Sequence, residues 1–188
     1  MGSVKNLAVE REATDAAFGV GVFEFTDDYS VFDFGKMPDT IPGKGEALCR
    51  QSCFNFRHLE NTLGIKTHFR KMLSPTKMEI NLVRVLLPQD NQIKDDSRNY
   101  LVPLEVIFRN SLPAGSSVFK RLESGEITLE DLGLAEAPTP GMKFERPFLD
   151  VSTKLEETDR YLSWDEALDM SKISEDHFYD LKEIALNI

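Results

Sequence analysis

The sequence has only two cysteines among 188 residues. Cys49 and Cys53 are four positions apart, which places both on one face of a helix, so the ordinary reading is two small buried thiols rather than a metal or redox pair. His58, His68 and His177 form no close pair in sequence, and no metal-ligand spacing emerges from them. Positive charge is in deficit: 22 Lys and Arg stand against 32 Asp and Glu, a formal charge of −10. That balance repels polyanions and speaks against a nucleic-acid partner, while a local convergence of Lys and Arg still suits a small anionic ligand. No block of five like charges occurs. No apolar run approaches the ~18 residues of a membrane span, and the first residues lack the basic start and apolar stretch of a signal peptide. A protein without membrane attachment, in the cytoplasm, is the default expectation.

Hydrophobic residues make up 41% of the chain, enough for a sizeable core in one domain of two lobes or in two small domains. "FGVGVFEFTDD" reads as a strand pair, with aromatic and β-branched residues, glycines and terminal acids. Residues 46–63 carry Leu48, Cys49, Phe56, Leu59 and Leu63 at spacings near three and four, with Arg50, Glu60 and Asn61 opposite and Gly64 as a stop. That is the best-marked helix. "IKTHFRKML", "MEINLVRVLL" and "YLVPLEVIFRN" predict three strands of one antiparallel sheet. Short helices are expected at "VFKRLESGE" and "TLEDLGL", another at "SWDEALDM" with Ser163 and Glu166 in capping-box spacing, and a last one after Ser174. Strands first and helices later indicate α+β, and the Pro- and Gly-rich "APTPGMKFERP" is the expected hinge or lobe boundary.

Several segments carry residue types suited to anionic ligands. Gly2, Ser3, Val4 and Lys5 suit a turn whose amides and lysine approach phosphates, although "MGS" reads equally well as a frayed terminus or cloning remnant. Residues 28–45, "DYSVFDFGKMPDTIPGKG", show almost no apolar periodicity and read as a long functional loop. Within and beside it Asp27, Asp28 and Asp33 bracket Tyr29, Ser30 and Phe32, able to orient a polar ligand or simply to be solvated. Lys44 sits between two glycines in "IPGKG", a point charge on flexible backbone; the spacing is not that of a Walker loop. In "PLEVIFRNSLPAGSS", Glu105 and Arg109 share one face of an apolar strand, and Gly115, Ser116 and Ser117 follow with amides and hydroxyls. A phosphate or carboxylate fits that arrangement, and so does a structural ion pair between the two charged residues.

Taken together, "DDYSVFDFGKMPDTIPGKGEAL", "GIKTHF", "VPLEVIFRNSLPAGS" and "STKLEETDR" resemble, in order, the SAICAR synthetase family, phosphoribosylaminoimidazole-succinocarboxamide synthase of purine biosynthesis. The resemblance runs from Gly2 to about Ile188. It implies a two-lobed α+β fold of the ATP-grasp or kinase-like kind with antiparallel sheets: a β-rich nucleotide-binding lobe at 1–110 and the start of a helical lobe at 111–188. It implies a ligase that uses ATP and Mg2+ to join L-aspartate to the carboxylate of carboxyaminoimidazole ribonucleotide (CAIR), through an acyl phosphate. Homo-oligomerisation is compatible with it. Residue by residue, Gly2, Ser3, Val4 and Lys5 match the loop over the ATP phosphates, Asp33 and Lys44 the catalytic segment, and Ser30, Arg109, Ser116, Lys154 and Asp159 the substrate-binding positions. The turn between Arg109 and Ala114 is one residue longer than the common pattern, which affects the placement of Ser116. The family's Asp-x-Lys-x-Glu-Phe-Gly signature, source of the magnesium ligands, does not occur up to Ile188. The metal ligands are therefore expected outside this sequence, either in a longer protein of which it is a part or lost from a non-catalytic nucleotide- or substrate-binding remnant.

Overall fold

Alternating residues from Lys5 to Arg11 form strand β1 (Lys5–Arg11), which pairs antiparallel with β2 (Gly19–Phe25) from Lys5↔Phe25 to Arg11↔Val20. The computed structural model describes residues 4–31 and 34–188. Across β2 lies β6 (Lys77–Leu82), and beside that β5 (Phe69–Ser74), giving an antiparallel sheet of order β1-β2-β6-β5. The strand pair expected in "FGVGVFEFTDD" is thus one strand, whose partners are β1 and β6.

Helix α1 (Lys44–Leu63) covers one face of this sheet. It ends where the sequence predicts: Gly64 adopts φ 67, a conformation open to glycine, and its N–H bonds the Leu59 carbonyl. Cys49 and Cys53 are both buried and pack with Phe25, Phe69, Met78 and Ile80. Their sequestration pushes the Cys49 thiol up to about 11. Residues 28–45 are not one long loop. A hairpin of β3 (Asp28–Val31) and β4 (Gly35–Thr40) occupies most of the run, and α1 begins at its end.

Strand β7 (Leu104–Ser111) does not join β5 and β6; it pairs with β8 (Lys143–Thr153) in a separate two-stranded ribbon. The chain accordingly divides into compact units between Val102 and Pro103, with Ile188 counted in the first, ahead of the expected boundary at 110/111. The segment expected as a hinge leads directly into β8 and is bonded inside the second unit, where Gly141 N–H donates to the Leu112 carbonyl. Helix α2 (Ser117–Ser124) follows β7, and α3 (Trp164–Ser171) and α4 (Glu175–Asn187) close the order. The capping box of Ser163 and Glu166 is complete at α3. "TLEDLGL" forms turns instead of a helix, because the Asp131 carboxylate and the Thr128 hydroxyl bond each other's backbone N–H. One cluster in this unit is built on Val151, Leu162, Ala167 and Phe178, another on Leu112, Val118 and Leu132.

Candidate functional site

In the first unit the sequence-predicted cations are held by local chemistry. Lys5 opens β1, and its Nζ lies 4.2 Å from the Phe23 ring centroid and 5.9 Å from that of Phe25. The Val4 carbonyl accepts from both the N–H and the hydroxyl of Thr26, which ties the start of β1 to the end of β2. Lys44, at the first turn of α1, donates through Nζ to the Asp28 carbonyl at 2.7 Å. Asp27 does structural work: its two carboxylate oxygens accept from the N–H groups of Gly43 (3.1 Å) and Gly45 (2.9 Å), satisfying donors at the start of a helix whose N-cap, Gly43, has no side chain. Asp28 pairs with Lys36 at 2.7 Å, and that bond, opposed by partial desolvation and helped by Thr26, holds its carboxyl below the usual range. Ser30 lies opposite Lys36 in the hairpin. Gly2, Ser3 and Asp33 fall outside the described residues.

The second unit gathers a denser network. The Arg109 guanidinium donates to Asp150 Oδ2 from Nη2 (3.2 Å) and Nε (3.4 Å), and from Nη2 to the Tyr161 hydroxyl at 3.0 Å. Asp150, only 4% exposed, also accepts from Arg121 Nη1 at 2.6 Å on the same oxygen. Arg121 lies 3.6 Å from the Tyr161 ring centroid and donates through Nε to Glu126 at 2.9 Å. The Tyr161 hydroxyl meets Ser117 Oγ at 2.7 Å, so Arg109 is linked through one tyrosine to the first turn of α2. Ser116 is the N-cap of that helix, its Oγ accepting from Val118 N–H.

The Glu105–Arg109 ion pair, the alternative that the sequence left open beside an anion contact, is not the one formed. Glu105 pairs with Lys154 at 3.4 Å, both side chains about half exposed, while Arg109 takes the buried Asp150. The register explains the exchange: Asp150 stands opposite Ile107, between Glu105 and Arg109 on the same face of the ribbon. Asp159 is exposed in the loop after β8. Arg109 and Ser116 are brought to one end of α2 through Tyr161 and Ser117; Lys154 sits with Glu105 instead. Sequence reasoning missed Asp150, Tyr161 and Arg121. A lone acid within the apolar alternation of "FLDV" is the signal that was available, since a buried carboxylate requires a cation.

A cleft of about 380 Å³ in this unit is lined by Arg121, Glu126, Asp150 and Tyr161. The larger cleft of about 540 Å³ in the first unit, at the end of α1, holds none of the sequence-predicted site residues. Among the described residues no three His, Cys, Asp or Glu side chains converge as a metal site would require. These residues do not compose a magnesium site.

A provisionally named phosphoribosylaminoimidazole-succinocarboxamide synthase of Archaeoglobus fulgidus is 44% identical over 204 residues, covering 100% of this chain and 61% of its own length. The phosphoribosylaminoimidazole-succinocarboxamide synthase of Thermoplasma acidophilum is 36% identical over 167 residues, 89% of this chain and 54% of its own. Among solved structures, a SAICAR synthetase in complex with ADP matches 99% of this chain and 63% of its own, with TM-score 0.65 and 24% identity. The SAICAR synthetase of Pyrococcus horikoshii OT3 matches 97% and 63%, with TM-score 0.64 and 24% identity. Those two likenesses establish the fold, an α+β architecture with antiparallel sheets. The chain spans 54 to 61% of the length of these two curated relatives. The SAICAR synthetase family model matches residues 13–188, and the chain belongs to the SAICAR synthetase family.

Proposed function

We propose that the protein joins L-aspartate to the carboxylate of CAIR, using ATP, to give SAICAR in purine biosynthesis. The substrate carboxylate attacks the γ-phosphorus and ADP leaves; the aspartate amine then attacks the acyl carbon, loses a proton, and inorganic phosphate departs as the amide forms. Both steps bring anions together, so cations and fixed donors contribute more than a protein nucleophile. The observation that carries the reading is Arg109, a guanidinium only 17% exposed in its side chain, on the strand of the family's most specific segment and linked to the Ser116–Ser117 turn. In this reading Arg109 and Ser116 hold the ribosyl phosphate, with Ser30, Lys154 and Asp159 as further substrate contacts. Asp33 and Lys44 serve the reacting carboxylate and amine, and Gly2 to Lys5 contact the ATP phosphates. The relative whose fold matches in complex with ADP supports a nucleotide as ligand.

The test is a ligation assay on the purified protein with ATP, Mg2+, L-aspartate and CAIR, followed by mass spectrometry. Any turnover is expected to yield SAICAR and ADP in equal amounts. Stabilisation by nucleotide without amide formation would establish the non-catalytic remnant instead. Arg109→Ala is expected to weaken ribonucleotide binding by about 2 to 5 kcal/mol while leaving ATP affinity unchanged. Equal loss of both ligands in a partly unfolded variant would make Arg109 a structural residue.

A further inference from the structure

Arg109 presents only part of its guanidinium to Asp150 and Tyr161. The Nε and Nη2 edge is occupied, and Nη1 makes no hydrogen bond to a described residue. A guanidinium that faced Asp150 alone would be both neutralised and free to swing around a single carboxylate oxygen. Two features of the network remove these problems. Arg121 places a second cation on the same Oδ2, at 2.6 Å and itself 8% exposed, so the buried carboxylate is shared between two guanidinium groups. The counter-charge of Arg121, Glu126, is 49% exposed, where water screens its field. The buried part of the cluster therefore holds two positive groups and one negative, and Arg109 keeps an attraction for an anion. Tyr161 fixes the orientation: its ring is clamped on Arg121 and its hydroxyl bonds both Arg109 Nη2 and Ser117 Oγ.

The geometry points to Asp150 and Tyr161 as positioning residues that hold the free Nη1 edge of Arg109 toward the phosphate monoester of a ribonucleotide, with Arg121 offsetting the charge of Asp150. The inference rests on the reading of Arg109 as a phosphate ligand. Tyr161 acts through Arg109, so its hydroxyl matters only while the guanidinium is present.

The experiment is a double-mutant cycle by calorimetry, with 5-aminoimidazole ribonucleotide and its dephosphorylated nucleoside as probes. Tyr161→Phe is expected to weaken the ribonucleotide about tenfold and leave the nucleoside unchanged, and the same substitution is expected to have no further effect in an Arg109→Ala background. A Tyr161→Phe loss that persists undiminished in Arg109→Ala, or that falls equally on the nucleoside, overturns the inference while Arg109 stands as the ligand. So does an undiminished affinity of Tyr161→Phe beside a weakened Arg109→Ala. If Arg109→Ala binds the ribonucleotide like the unmodified protein, the reading of Arg109 itself fails. Asp150→Asn, which keeps the shape and removes the charge, is expected to weaken the ribonucleotide selectively as well; because that change also strands Arg121, Tyr161→Phe remains the deciding variant.

Discussion

At Asp27 a single carboxylate does what a cap side chain does elsewhere, bonding two backbone N–H groups of the α1 entry. Asp27→Ala is therefore expected to destabilise the protein by about 1 to 2 kcal/mol, with Asp27→Asn recovering part of it, as read by chemical denaturation. His68 allows a prediction in pH. Its pKa is lowered, first by desolvation and then by repulsion from Lys5, with Glu60 opposing; its ring meets Phe56 and Phe23 edge-on. A histidine whose folded pKa lies below its unfolded one contributes stability that is complete above the ordinary value near 6.5 and is lost as pH falls through the folded value. Lys5→Met should raise the His68 midpoint in an NMR titration and flatten the acid side of the stability curve; an unmoved midpoint would remove Lys5 as a cause. Residue identity alone told much here: Arg109 stood out as a charge in an apolar strand. Its partner did not, because Asp150 lies 41 positions away and only the β7–β8 register brings it beside Arg109.

Elements with local instructions were legible. Helix α1 follows its apolar spacing and stops at Gly64, and α3 starts from a capping box written in four consecutive residues. Strand pairing was not, since three similar apolar strands carry no mark of which sheet each joins; β7 went to β8, whose Pro- and Gly-rich approach resembled a linker. The docking of α1 also depends on a detail that sequence shows only as flexibility. A Cβ on Gly45 would lie 2.7 Å from the Phe25 carbonyl oxygen, a backbone atom that cannot turn aside. Gly45→Ala is expected to cost about 1 to 3 kcal/mol despite improving helix propensity, because the helix must move off β2. A variant as stable as the unmodified protein in the same denaturation experiment would mean that the helix start shifts freely.

Each compact unit has its own core, and this sets the expectation for the whole molecule. Met78 is 1% exposed and central to the cluster of Phe25, Cys49, Cys53, Phe69 and Ile80 in the first unit. The buried apolar clusters of the second unit, around Val151 and Leu112, are assembled from β7, β8, the helices and the segments between them. Truncating Met78 to Ala leaves a cavity where four elements meet, at about 2 to 5 kcal/mol. If each unit opens as a cooperative body, the loss appears where the cavity is. Hydrogen exchange of Met78→Ala followed by mass spectrometry should show faster exchange in the peptides of β2, β5, β6 and α1, with those of β7, β8 and α3 close to their original rates. The reciprocal Val151→Ala should reverse the pattern. Uniform acceleration throughout the chain in both variants would mean that the two cores open together as one cooperative body.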